Sequence, residues 1–363
     1  MRYSLRKLFA IFTLFALAFG FYSSSAHRQN RAVAVILKNG GSAGYETNEL
    51  LTSIDKARSE YLDFFYAVTS VTCEQSELRD ASFLRDLPKV RYLSLERNRI
   101  DDLTPVSGMS NLAALSILST PVRDITPLKK LTKLNSLTLK DTKIQSVAAI
   151  GELHNLVLLY ICGCDVEDIS PLASLTQIEF LDLSQTKVKD LKPLAGMTQL
   201  QSLHLEDTRV EDISALSNLK NLTAIFLIRS PVRDIKALHG LNKVETLILR
   251  GTQVVDISPL SDSKNLKHLN LGETPVSDLR PLSSLTQLEE LLLTSSAVTD
   301  ISPIASCTSL NYLSIAETDV QSIRALGNCQ SLQAVVLPTR FKDTKELAEL
   351  VTALPNAAFE FPD

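Results

Sequence analysis

The chain has no tryptophan, and only 12 glycines and 14 prolines among 363 residues. That scarcity excludes a collagen-like chain and a low-complexity disordered one. Five cysteines, an odd and modest number, specify no disulfide framework. Basic runs are missing as well. Residues 1–31 carry five bases and no acid, which leaves the remainder with 32 bases against 41 acids, net −9. Duplex binding draws on clustered Lys and Arg, so a mildly acidic body argues against nucleic acid as a partner. With 45% hydrophobic and 21% charged residues, the composition is that of an ordinary folded protein.

One long hydrophobic run is present. It follows Arg2, Arg6 and Lys7, extends from Leu8 to Tyr22, and is succeeded by Ser23, Ser24, Ser25 and Ala26. Nineteen uncharged residues separate Lys7 from His27. As a helix they would rise about 28 Å, close to the hydrocarbon thickness of a bilayer. The expectation is an N-terminal signal anchor over 1–26, with residues 8–22 in the membrane and a single-pass localisation. Ser24 and Ala26 also suit a cleavage site, so export after cleavage near Ala26 is the alternative. Residues 27–45 then read as a juxtamembrane linker with a glycine hinge at Gly40–Gly44.

A repeat of 22 residues decides the architecture. One column runs Leu93, Leu115, Leu137, Leu159, Leu181, Leu203 and onward to Val335; a second, two residues later, runs from Leu95 to Leu337. Apolar residues two apart share one face of a short strand. A single strand cannot bury that row, but stacked turns make a continuous core. Proline follows at positions such as Pro105, Pro127 and Pro171, where it suits a tight turn or short 3₁₀ segment. Aspartate precedes that segment in nine of eleven turns, from Asp102 to Asp300. The column reads as an Asx-turn or cap rather than a calcium row, because stacked turns offer no compact oxygen cage.

The pattern L-x-x-L-x-L-x-x-T-x-V-x-D-I-x-P-L-x-x-L, clear at Leu200–Leu219, resembles the bacterial leucine-rich repeats of the internalin type. The resemblance covers residues 90–337. It implies an α/β solenoid with a curved parallel sheet on the concave face, short 3₁₀ or turn segments on the convex face, and protein binding on the strand side. The ladder position departs from that family: Asn98 alone keeps asparagine, whereas Thr120, Thr142, Thr186, Thr208, Thr252, Thr274 and Thr318 hold threonine. The head of the chain is similar to membrane-anchored bacterial leucine-rich-repeat proteins.

Solenoid ends need caps. Residues 46–89 read as an N-terminal cap helix, on Leu50, Ile54, Ala57, Tyr61 and Phe65, followed by a degenerate turn at Val68, Val71 and Cys73. Residues 338–363 read as a C-terminal cap, with an Asp343–Glu346 capping box and a last strand that puts Ala357 and Phe359 in the columns of Val335 and Leu337.

No catalytic constellation emerges. Gly40–Gly44 formally matches G-x-S-x-G but lacks the sheet context of a nucleophile elbow. Cys162 and Cys164 have no partners at metal-ligand spacing. Cys307 and Cys329, one turn apart, fit either a disulfide or two buried apolar residues. The five histidines occupy different columns. No cofactor, metal, small-molecule substrate or nucleic acid is expected.

Between residues 90 and 337 there are five aromatics, Tyr92, Tyr160, Phe180, Phe226 and Tyr312, all in outward columns of the strands. An aliphatic core does not require them there. Tyr160, Phe180 and Phe226 cluster with Leu158, Ile228 and Ile248 and are flanked by Asp182, His204, Arg229 and Arg250. At half exposure this patch would reach about 400 Å², near the size that marks interaction sites. The competing reading is mutual cover between neighbouring outward side chains. The expectation is a membrane-anchored module binding an unidentified protein on its concave face. A secreted, adhesin-like protein and an enzyme with an unrecognised site are the alternatives.

Overall fold

A computed structural model describes residues 24–45, 67–74 and 77–362. The chain divides into two compact units, Met1–Ile144 and Gln145–Asp363. In the first, residues 24–38 form helix α1. Strand β1 (Ser42–Tyr45) pairs antiparallel with β2 (Val68–Glu74). Parallel strands β3 (Tyr92–Glu96), β4 (Ala114–Ser116) and β5 (Ser136–Thr138) follow in chain order. Register runs Val71, Leu93, Leu115, Leu137, so each core residue faces its counterpart one turn later.

The second unit repeats the same turn. Its strands are β6 (Leu158–Tyr160), β7 (Phe180–Asp182), β8 (Ser202–His204), β9 (Ala224–Phe226) and β10 (Thr246–Ile248). Then come β11 (His268–Asn270), β12 (Glu290–Leu292), β13 (Tyr312–Ser314), β14 (Ala334–Val336) and β15 (Ala358–Glu360). From β6 to β15 each strand pairs in parallel with the next. The columns from Leu159 to Val335 and from Ile161 to Leu337 are buried. This is the expected α/β solenoid.

Each feature of the turn has a local cause. Prolines 105, 127, 171, 193, 259, 281 and 303 sit in the first turn of a 3₁₀ segment, where a missing N–H is harmless. Every aspartate of the nine-member column accepts the N–H two residues on, as Asp212 does from Ser214 at 2.8 Å. The ladder hydroxyls turn inward: Thr208 Oγ1 donates to Leu205 O at 2.8 Å, and Thr186 and Thr252 do the same to Leu183 and Leu249. Cys307 and Cys329 are free and buried, their thiols pushed up to about 11 by burial.

Three expectations need correction. The membrane localisation is not sustained: among the described residues no helix is long and apolar enough to cross a bilayer. Helix α1 has 15 residues, about 22 Å, and carries Arg28, Arg31 and Lys38. The expected anchor at 8–22 lies outside the described residues, as does the expected cap helix over 50–65.

Residues 27–45, expected to be a linker, are folded. Ala32, Val33 and Ile36 of α1 are buried. Gln29 accepts the Val68 N–H at 3.3 Å, and Ser42–Tyr45 pairs with β2. Gly41 is required there, since a Cβ would strike Thr72 O and Ile36 Cγ2.

At the other end, helix α2 (Lys345–Ala353) is capped by Thr344, whose hydroxyl accepts the Leu347 N–H at 3.2 Å; Asp343 instead turns at φ 62°. Glu346 reaches back to the Ile323 N–H, in a turn where Ser322 replaces the usual aspartate. An α-helix in place of a 3₁₀ segment lengthens the last turn, so Phe359 pairs with Val335 rather than falling beside Leu337.

Candidate functional site

The outward face of the sheet in the second unit is built by alternation. In β7, Leu181 is buried, so Phe180 and Asp182 face the other side. In β8 the same rule buries Leu203 and turns out Ser202 and His204. Four residues after each core residue of the first column the chain corners sharply: Gln185, Asp207, Arg229 and Glu273 have φ of 55–57°, and Gly163 and Gly251 hold equivalent places. These corners re-aim the residues that flank the strands.

On this face four rings form a continuous series. Tyr160 lies 4.6 Å from Phe180, centroid to centroid, and Phe180 lies 4.9 Å from His204. His204 stacks on Phe226 at 4.2 Å with planes 13° apart. The series zigzags between columns, because Phe180 aligns with Ser202 and His204 aligns with Asp182 and Phe226. Each ring covers part of its neighbour. The patch is accordingly less open than half exposure would make it: Leu158 is 37% exposed, while Tyr160, Phe180, Phe226, Ile228 and Ile248 are partly buried.

The imidazole is held at its edges as well as its faces. Ser202 Oγ is 3.1 Å from His204 Nε2, and His204 Nδ1 is 3.5 Å from Glu206 Oε1. Ser184 Oγ donates to the other oxygen of Glu206. Burial works to raise the Glu206 pKa, but its hydrogen bonds with His204 and Ser184 outweigh that and hold it below its ordinary value. A serine, histidine and glutamate in series is the order of a nucleophile, base and orienting acid. Acyl transfer also needs donors for an oxyanion. Here the Ser202 N–H goes to Glu179 O at 3.0 Å and the Leu205 N–H to Phe226 O at 2.9 Å. The series fixes a ring in place.

Of the ten residues expected to form the patch, the ring contacts gather Tyr160, Phe180, His204 and Phe226. Asp182 instead accepts the Ser184 N–H at 2.9 Å. Arg229 Nε donates to Asp207 at 2.6 Å and Arg250 Nε to Glu273 at 3.1 Å. Thus both arginines are paired on the protein itself. Glu206, Asp207, Glu273 and Ser184 were not among the expected residues. Asp207 stands one repeat before Arg229 and Glu206 two residues beyond His204, so charge matching along columns and strands would find both.

Other features lie elsewhere. A groove of about 550 Å³ among the 3₁₀ turns is lined by Glu211, Asp212, Pro231, Arg233, Asp234 and Lys236. Its aspartates already accept backbone N–H groups. Among the described residues no group of three His, Cys, Asp or Glu is placed to hold a metal ion.

Comparison with known proteins bears on the fold that carries this face. A family model described as leucine-rich repeats (two copies) matches residues 242–284. No curated protein sequence matches the chain. Among solved structures, an internalin (inlF) of Listeria monocytogenes is 26% identical with a TM-score of 0.75, over 81% of this chain and 87% of that one. A leucine-rich-repeat protein of Leptospira interrogans is 19% identical with a TM-score of 0.67, over 79% and 82%. The functional domain of InlJ from Listeria monocytogenes, which includes a cysteine ladder, is 18% identical with a TM-score of 0.65, over 82% and 63%.

Proposed function

The chain is a leucine-rich-repeat protein similar to the bacterial internalins, and from that premise we propose that it binds another protein on its outward sheet face around Tyr160, Phe180, His204 and Phe226. Leucine-rich repeats are in general protein-interaction modules, and solenoids use the extended strand face for that purpose. The fold points to interaction rather than to an enzyme scaffold.

The observation that carries the reading is the placement of the rings. The core is filled mainly by Leu, Ile and Val and is closed without these four rings. Rigid aromatics bordered by arginines are the composition of interface hot spots. Stacking also fixes the rings before a partner arrives, which lowers the ordering cost of binding.

The test is a pair of substitutions, Phe180→Ser with Phe226→Ser, read by partner capture and by thermal melting. The expected result is loss of the captured protein with a fold that still melts cooperatively, its melting point lowered by roughly 4–12 °C, as for about 2–3 kcal/mol in a domain of this size. Intact capture alongside a large fall in melting point would assign the rings to sheet packing alone.

A further inference from the structure

The ring series occupies β6 to β9, a stretch that with its flanking residues already carries Glu179, Asp182, Glu206 and Asp207 against Arg229. From β10 to β13 and their flanking residues the charged groups are Glu245, Glu273, Glu289, Glu290 and Glu317 against Arg250 and Lys267. Both bases are already tied up: Lys267 Nζ is 2.8 Å from Glu245, and Arg250 Nε is 3.1 Å from Glu273. Among the described residues Glu290 meets His268 Nδ1, at 3.1 Å, and Glu317 accepts from the Ser295 hydroxyl, at 2.6 Å. Glu289 neighbours Lys267, whose charge Glu245 already meets. Carboxylates therefore outnumber cations here, and the excess negative charge lies next to an apolar strip.

We propose that the partner segment on this face is a basic, amphipathic peptide stretch, with apolar side chains on the ring series and lysine or arginine side chains on Glu289, Glu290 and Glu317. This rests on the outward face being the binding surface, and adds the chemistry of what binds. Complementary charge selects a cationic partner over an anionic one and speeds encounter. The spacing follows from the sheet. His204 in β8 and Glu290 in β12 are four strands apart, roughly 19 Å at about 4.8 Å per strand, or about six residues of extended chain. An acidic partner carrying the same apolar residues would meet like charge at β11–β13.

The experiment uses the full chain and three synthetic 14-residue peptides followed by fluorescence anisotropy. One carries a Leu-Phe pair and a Lys-Arg pair six residues apart; the second replaces Lys-Arg with Glu-Glu; the third replaces Leu-Phe with Ser-Ser. The basic amphipathic peptide is expected to bind at least about tenfold more tightly than either of the others, and to weaken as salt screens the charges. Glu289→Gln with Glu290→Gln is expected to abolish the preference over the acidic peptide while leaving melting unchanged. Glu317→Gln, at an exposed site, serves as a second and milder probe. Equal or tighter binding of the acidic peptide would overturn the charge assignment. If Phe180→Ser with Phe226→Ser still abolished that binding, the face itself would stand. Basic-peptide binding unaltered by either double substitution would overturn the placement, and absence of binding by all three peptides would overturn the inference.

Discussion

His204 and Phe226, one turn apart in the same outward column, stack at 4.2 Å with their planes 13° from parallel. The contact makes the imidazole a structural ring as much as a polar group. It also explains why the patch is partly buried. Rings that cover one another lose exposed area and gain fixed geometry.

Stacking of this kind adds about 0.5–1.5 kcal/mol beyond the area buried. Phe226→Leu keeps apolar volume but removes the ring, so urea unfolding should show a loss of that order. A double-mutant cycle with His204→Ala should return a coupling energy of about 0.5 kcal/mol or more. Strict additivity would mean that the two rings are adjacent without interacting.

Glu206 gives the site a pH dependence of defined sign. Its folded pKa is held below the ordinary value of 4.5, so the unfolded chain takes up a proton first. The stability it supplies is complete above about pH 4.5 and is lost as pH falls through the folded value. Glu206→Gln should lower the melting temperature by a constant amount above about pH 5 and converge on the parent at low pH, so that the acid limb flattens. An unchanged acid limb would show that the carboxylate is not engaged with His204 and Ser184.

The aspartate column adds to the same limb from the other side of the turn. Backbone N–H groups hold Asp168, Asp212 and Asp256 below their usual range. Asparagine keeps the accepting oxygen but cannot titrate. The triple change Asp168→Asn, Asp212→Asn and Asp256→Asn should therefore melt near the native temperature at pH 7 and lose less stability on going to pH 3. A large loss at pH 7 would mean that the charge, rather than the acceptor, holds the turns.

The core was legible because one residue every 22 must face its own copy, and the columns from Leu159 and Ile161 state that requirement openly. Outward placement of Phe180 and Phe226 was legible by the same alternation. Their contacts were not, because Phe180 meets Tyr160 and His204 diagonally and column comparison sees only neighbours in line. Helix α1 was hidden beside a hydrophobic run that dominates any reading of the N-terminus. The Thr344 cap was hidden by Asp343, an equally good capping residue one position earlier.

In the ladder column, Thr208 and the core residue Leu203 separate two contributions. Leu203→Ala removes a fully buried side chain and should cost about 2–5 kcal/mol. Thr208→Val removes the hydroxyl that donates to Leu205 O and approaches Ser230, and should cost about 1 kcal/mol. Denaturant melts of the two variants should rank in that order. Equal and small losses would contradict the assignment of both columns.

The corner position was the least legible feature, and it yields the sharpest stability test. Only Gly163 and Gly251 announce a left-handed conformation there, yet Gln185 adopts φ 57° with an ordinary side chain. For such a residue the left-handed region costs about 1–2 kcal/mol. Glycine relieves that cost, while the greater freedom it gives the unfolded chain takes back about 0.4–1 kcal/mol. The two opposing effects leave Gln185→Gly neutral to about 1.6 kcal/mol more stable. Gln185→Val should go the other way, because a β-branched residue resists positive φ most strongly. Gly251→Ala, at φ 69° and with its new Cβ 3.1 Å from Arg229 Cγ, should lose about 1 kcal/mol. Melting temperatures should thus rise or hold for the first variant and fall for the other two. A fall for Gln185→Gly as large as that for Gln185→Val would mean that the side chain, not the backbone angle, secures the corner.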